Sequence, residues 1–469
     1  MRFAMRLNAR TLAVLLLGML NTLARAQTTP AAPAPAPPVP TQTAAPVPSP
    51  TRQVKSDTTV VEPWSVHFQQ TIIQQWHNHF AAPHTGAYSL QPVEKAKLSL
   101  TTTLFIGRRL WRGASVYFNP EVAGGSGLSG ARGIAGFVNG ETFRIGNPAP
   151  QLYLARLFVR QVWDLGSTTN SATDAPNQLS GPAPTRYFAL NAGKFSLADY
   201  FDLNSYSHDP RTQFFNWSLM STGAWDYPAN TRGYTVGVVA EYVTPAFALR
   251  AASTLVPKEA NGPTLQKNYA HSHSETLELT RTTAVRGQPG AVRLLGFVTH
   301  ANMGDYRLAV ARPDLDLTAT RALGRTKYGL SANVEQALTN QLGVFARASF
   351  NDGRHETWAF TEIDRSVSVG ASSAGGQWQR PNDRLGLAFV GNGLSQPHRD
   401  FLAAGGHGFI IGDGYLQYGS ELIGELYYSI NIPKYFITIS PDYQFVVNPG
   451  YNRDRGPVHV VALRAHVAF

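Results

Sequence analysis

Of the 469 residues only 15% are Asp, Glu, Lys or Arg, well under the ~25% of ordinary soluble globular chains, while 24 Phe, 19 Tyr and 8 Trp make the chain rich in aromatics. Cys is absent, which excludes disulfides, thiolate metal sites, iron–sulfur clusters, cysteine nucleophiles and a lipoprotein anchor. The formal charge of +10 is scattered singly among aromatics, with no continuous basic stripe, so no nucleic-acid partner is expected.

At the amino terminus Arg2, Arg6 and Arg10 flank the start of an apolar run, Thr11–Leu20, and Ala24-Arg-Ala26 follows. Basic region, apolar core and small residues at the cleavage position are the parts of a secretory signal, expected to span residues 1–26. The apolar run is shorter than the ~20 residues that a helical anchor needs. Removing this segment takes four Arg and no acid, which lowers the charge from +10 to +6. Residues 27–56 carry nine prolines between Pro30 and Pro50 and no charge before Arg52. Such a stretch buries too little apolar surface to offset its ordering entropy, so an extended periplasmic linker is expected. Peptidoglycan is one partner it would reach; a solvated tail is the plainer reading.

From residue 57 to 469 the recurring pattern is alternation with period two. Leu98, Leu100, Leu104 and Ile106 oppose Lys97, Ser99, Thr101 and Thr103. Tyr234, Val236, Val238, Ala240 and Tyr242 oppose Thr235, Gly237 and Glu241. Tyr328, Leu330, Ala332 and Val334 oppose Ser331, Asn333 and Glu335, and Val344, Ala346, Ala348 and Phe350 oppose Arg347 and Ser349. Leu422, Leu426, Tyr428, Ile430 and Ile432 oppose Glu421, Glu425, Tyr427, Ser429 and Asn431. The last segment sets Val461, Leu463, Ala465, Val467 and Phe469 against Arg464 and His466.

Period two means strands with one apolar and one polar face. Sandwiches and membrane barrels share that pattern, and three features separate them. The segments run to ~9–11 residues, the length of a tilted bilayer crossing. Tyr234, Tyr242, Tyr428, Tyr435 and Phe469 end the apolar faces, as interfacial girdles do. Glu241, Arg347, Glu421, Glu425 and Arg464 on the polar faces suit a wet lumen and not a dry core. The expected fold is all-β: a transmembrane antiparallel barrel of about 16 strands in the outer membrane, with short periplasmic turns and long external or inward-folding loops. Outer-membrane lipid and lipopolysaccharide would surround it.

Irregular stretches at 119–151, 167–186, 199–232, 257–275 and 351–384 read as the long loops, and some must fold inward if the pore is to select. Glu121, Glu141, Arg144, Arg156 and Arg160 cluster in and after the first. Asp209, Arg211, Trp217, Trp225, Asp226 and Tyr227 lie in the third. Arg and carboxylate groups supply fixed donors and acceptors for sugar hydroxyls, and Trp and Tyr faces stack on the C–H face of a sugar ring. Loop-to-wall ion pairing is the competing use of the same residues.

Other motifs carry less. Gly125-Ser-Gly-Leu-Ser-Gly130 fits a dinucleotide fingerprint, but glycines at 133 and 136 follow where an amphipathic helix should start. The pairs His77/His79 and His271/His273 lack a third ligand at a convincing spacing and read as surface loop histidines, so no metal or cofactor is expected. No G-x-S-x-G is present, and Glu121 with Glu141 is only a formal glycosidase pair, so no enzyme is expected.

Asn119–Gly130 with Gly133–Glu141 resembles the early segment of the carbohydrate-selective porins of the OprB type. Tyr153–Gln161, His208–Trp217, Gly223–Tyr234, and Ser440–Gly450 with Arg455–His459 and the terminal Phe469 look like further blocks of that family. The resemblance runs from about Trp64 to the end. It implies a 16-stranded outer-membrane barrel, monomer or homotrimer, passing glucose and other mono- and small oligosaccharides by facilitated diffusion. It also implies that Glu121, Glu141, Arg144, Arg156 and Arg160 form the constriction, with Trp217, Trp225 and Tyr227 as stacking faces. A general or anion-preferring porin, an outer-membrane barrel hydrolase and a plugged structural barrel are the alternatives.

Overall fold

A computed structural model describes residues 61–142 and 148–469. The expected signal (1–26) and linker (27–56), and the candidate Arg144, lie outside the described residues. The chain opens with β1 (Trp64–His77), β2 (Lys97–Arg109), β3 (Ala114–Gly125) and β4 (Gln151–Asp164). A small hairpin, β5 (Thr169–Ala172) and β6 (Gly181–Pro184), interrupts the series before β7 (Tyr187–Phe195), β8 (Thr235–Val243) and β9 (Phe247–Leu255). Then follow β10 (His273–Val285), β11 (Gln288–Met303), β12 (Ala322–Ala337), β13 (Leu342–Asn351) and β14 (Arg365–Gly375). The chain ends in β15 (Arg380–Gly393), β16 (Glu421–Ile432), β17 (Ile437–Val447) and β18 (Val458–Ala468). All but β5 and β6 form one closed antiparallel barrel of 16 strands, sealed by β1 against β18 with Thr71 opposite His466.

The alternation expected from the sequence is the inside–outside alternation of this wall. Leu422, Leu426, Val461 and Leu463 face outward and exposed, whereas Glu421, Glu425, Arg464 and His466 point inward and are buried. Trp64, Trp111, Trp163, Tyr435, Phe436 and Phe469 are exposed near the short-turn end, a girdle of the expected kind. The short connections share one end with the strand termini Trp64 and Ala468, and so does the β5–β6 hairpin, whose 167–186 stretch reads in the sequence as one of the long external loops; the other long loops share the opposite end. By the rule for outer-membrane barrels the turns are periplasmic and the loops external.

Three sequence expectations are corrected. The 119–151 stretch is strand through Gly125, and 351–384 contains all of β14 and the start of β15. There Ser366, Ser368, Gly370 and Ser372 face inward opposite Val367, Val369 and Ala371, and these small residues blur the hydrophobic period. The loop between β15 and β16, which carries helix α3 (Gln396–Ala403), had no sequence flag. Two shorter helices, α1 (Trp217–Met220) and α2 (Tyr306–Val310), also lie in loops. His77 is no surface histidine: it ends β1 buried, and Glu94 lies 3.2 Å from its Nε2. Burial pushes the Glu94 carboxyl up, but hydrogen bonds from His77 and Ser129 outweigh it and hold it below the usual range.

Loops fill much of the barrel. Phe201, Trp217, Trp225, Phe360, Ile410, Ile411 and Tyr451, all from long loops, pack into one buried cluster. What fastens this packing to the wall is a repeated device in which one buried carboxylate accepts successive backbone N–H groups. Glu421 accepts from Ala135, Gly136 and Gly450 at 2.8–2.9 Å. Glu425 accepts from Phe215 at 2.5 Å and Asn216 at 2.9 Å. Within the loops Glu362 takes Phe409, Ile410 and Ile411, and Asp226 takes Trp358, Ala359 and Phe360. A loop backbone removed from water needs acceptors, and a carboxylate offers about four lone-pair sites at one point. Close approach also needs glycine: Gly133 sits at φ +81°, where a Cβ would meet Leu90 N at 1.7 Å.

Candidate functional site

Inward charges are distributed around the whole wall, but their contact with water is not. Arg250, Arg293 and Arg347 are 2% exposed and Arg464 is 0%, each covered by loop or paired with acid. On the β3–β4 side Arg156 is 11%, Arg160 17%, Arg211 17% and Asp199 27% exposed. Four partly exposed charges are thus grouped in that sector, while on β15 Arg384, bonded to Ser372 Oγ at 3.3 Å, is also partly exposed.

Two local features aim them there. Register slips between Asn119, which opposes Arg156, and Pro120, which opposes Leu154, leaving Ala155 as the extra residue of a bulge. Pro120 has no N–H for the ladder, which suits a bulge. Strict alternation would put Tyr153 and Arg156 on opposite faces; the bulge lets Tyr153, Arg156 and Arg160 all reach the lumen. The second feature is the 196–234 loop, which runs inward and presents Asp199 at one end and Asp209 and Arg211 farther along.

Arg211 joins the two early glutamates. Its Nη2 lies 3.4 Å from Glu121 Oε2, and its Nε donates to Glu141. Thr103, directly across the ladder from Glu121, donates to it at 2.6 Å, Tyr234 at 3.1 Å, and Tyr153 donates as well. Thr101 donates to Glu141 at 3.2 Å. Asp209 turns back on its own loop, accepting from Arg211 N at 3.0 Å and Thr212 Oγ1 at 2.8 Å. Arg156 forms a two-pronged pair with Asp199 at 2.6 and 2.7 Å, and its guanidinium lies 5.2 Å from the Tyr234 ring centre. Arg160 reaches Glu241 at 2.5 Å and Asn191 at 2.9 Å, and Arg250 holds the other Glu241 oxygen at 3.1 Å.

Burial pushes the Glu141 carboxyl above the usual range against the pull of Arg211, with Glu121 and Asp209 adding repulsion. Burial works against the Arg211 charge too, yet Glu141 and Glu121 hold its pKa well above the ordinary value. The arrangement offers guanidinium edges and the Asp199 carboxylate to water, backed by the buried Glu121, Glu141, Thr101, Thr103 and Tyr234, all fixed by partners. Polyhydroxylated solutes exchange hydrogen bonds with such a set.

The structure brings Glu121, Glu141, Asp209 and Arg211 into one cluster, with Arg156 and Arg160 lower on the same wall. The aromatic candidates lie elsewhere. Trp217 stacks on Phe137 at 5.0 Å and Tyr227 at 5.7 Å, while Tyr227 also stacks on Phe360 at 5.0 Å and Trp225 lies 5.3 Å away. Their faces are covered by one another, and Asp226 caps loop amides. Sequence reading missed Asp199, although Ser196 and Asp199 have the spacing of a capping box. It also assigned Tyr234 to the outer girdle; the ring is buried inside, because the outward series of β8 begins at Val236. Among the described residues no group of His, Asp and Glu is placed to hold a metal ion.

Residues 87–469 match the family model described as carbohydrate-selective porin, OprB family. The high-pH structure of Pseudomonas putida OprB superposes with a TM-score of 0.62 at 17% identity, over 87% of this chain and 94% of that one. The outer membrane channel DcaP of Acinetobacter baumannii gives 0.48 at 12% identity, covering 87% and 97%. Pseudomonas aeruginosa OccK2 gives 0.45 at 10%, covering 88% and 99%. No curated protein sequence matches the chain.

Proposed function

The chain belongs to the OprB family of carbohydrate-selective porins, and on that basis we propose that small neutral sugars, glucose among them, diffuse through the β3–β4 sector past Arg211, Arg156 and Arg160. It is an outer-membrane channel and not an enzyme. The observation that supports the route is the grouping of water-exposed charge there: four groups between 11% and 27% exposed, against Arg250, Arg293, Arg347 and Arg464 at 2% or less. Sugar hydroxyls would borrow donors from the guanidinium edges of Arg211, Arg156 and Arg160 and acceptors from Asp199 as they pass. Each of these groups already has a partner, so a sugar exchanges hydrogen bonds and does not gain them outright, which keeps residence short and flux high.

A second reading, an anion-preferring porin, draws on one detail. Three of the four exposed groups are arginines, while Glu121, Glu141 and Glu241 are 3–8% exposed. Liposome swelling separates the two. Faster entry of glucose than of gluconate, with Arg156→Ala narrowing the difference, is the result expected of a sugar path. Faster gluconate entry supports the anion reading and overturns the sugar one.

A further inference from the structure

We propose that residues 165–186 form a latched strap at the periplasmic exit that sets the size limit of the channel, a second filter in series with the charged sector. Each of the other six turns at that end uses two to four residues, such as Arg286 and Gly287 between β10 and β11. The connection from β4 to β7 instead builds the β5–β6 hairpin, closed at its tip by the Ala175–Gln178 bridge.

The hairpin does not project away from the barrel. Asp174 Oδ2 lies 3.1 Å from Nε2 of His67, an inward residue of β1, and Ser65 Oγ reaches Ala175 O at 3.5 Å. Arg109 Nη2, at the end of β2, donates to Ser180 O at 2.8 Å, and Glu62 N donates to Ser180 Oγ at 3.3 Å. To make these contacts from β4 the chain crosses β3 and β2 and arrives at β1. That is three strand spacings, ~14 Å at ~4.8 Å each. The strap thus lies on the inner rim of the sector that carries Glu121, Arg156 and Arg160. From Gly166 to Thr185 the only charge is Asp174, and half the residues are Ser, Thr, Asn or Gln. A hydroxyl- and amide-lined bar whose one carboxylate, Asp174, is held against His67 selects by size and hydration more than by charge, which complements the arginines above it.

The inference rests on the route proposed along β4, and its test needs no sugar. Polyethylene glycols of graded size are added to one side at a time of planar bilayers holding single channels of the purified protein, and a fall in conductance marks polymers that enter. Replacing 168–184 by two glycines is expected to raise conductance about twofold and admit larger polymers from the turn side only. Asp174→Ala with Arg109→Ala, which breaks the latch and keeps the chain, is expected to move the turn-side limit in the same direction, and it carries the test if the shortened chain does not fold. An unchanged turn-side limit in either folded variant overturns the strap. A shifted polymer limit in a channel whose parent shows no sugar preference in liposome swelling would sink the sugar route and leave the strap standing.

Discussion

Glu121 and Glu141 share Arg211 but have different company. Glu121 also accepts from Thr103, Tyr153 and Tyr234, whereas Glu141 has Thr101 besides the arginine. With its pKa raised by burial, Glu141 takes a proton at a higher pH than an ordinary carboxyl, so acidification leaves Arg211 less compensated. Reversal potentials in a salt gradient should therefore move toward anions as pH falls from neutral into mild acid. Glu141→Gln should show the shifted value at neutral pH and lose most of that dependence; an unaltered pH profile in the variant would count against the assignment. Arg156 offers a cleaner deletion, because Asp199 beside it reaches water. Arg156→Ala should weaken glucose block of single-channel current by roughly three- to tenfold, the net worth of about one ordinary hydrogen bond, because a sugar exchanges partners with the guanidinium. The residue types of this site were legible in the sequence, but their grouping was not. Arg156 shares a face with Tyr153 only because of the bulge opposite Pro120, and pattern counting assumes unbroken pleats.

At the scale of elements, the inward loops are held by carboxylates that clamp backbone amides. Glu362→Gln keeps the shape of the side chain but replaces one acceptor oxygen by a donor facing the N–H groups of 409–411. Hydrogen exchange at those amides should quicken roughly ten- to hundredfold, from about 1.5–3 kcal/mol for charged hydrogen bonds, while strand amides stay protected. The loop between β15 and β16 has a second tie. His398, buried and stacked on Tyr306 at 4.3 Å, has Nδ1 3.0 Å from Asp364 Oδ2. Burial pushes the Asp364 carboxyl up, yet the His398 charge and hydrogen bond hold it at about 2. A folded pKa below the ~4 of an unfolded Asp means stability present above pH ~4 and lost as pH falls toward 2, about 2 kcal/mol in all. Exchange in α3 should accelerate across that window, and Asp364→Asn should remove the acid step. None of these clamps was visible in the sequence. Glu425 and Phe215 lie far apart along the chain, and a carboxylate that faces water is written with the same letter as one that faces an amide.

For the whole molecule, alternation, segment length and aromatic ends were enough to specify a membrane barrel, because a wall between lipid and polar interior imposes period two wherever it runs, while the count of 16 strands drew on chain length and the family resemblance. The interior was harder to read. Trp217, Trp225 and Tyr227 have the chemistry of sugar platforms, but packed against Phe137 and Phe360 they make the loop core. The path follows from what the loops leave uncovered, and loop packing has no period. The central claim is that sugars travel past Arg156 and Arg211 in that uncovered sector. Its most direct test is single-channel current in planar bilayers, titrated with glucose, for the parent chain, Arg156→Ala and Arg347→Gln. Saturable block in the parent, weakened by Arg156→Ala and untouched by the covered Arg347, is the expected result. Block that is indifferent to Arg156 or falls equally with Arg347 would contradict it.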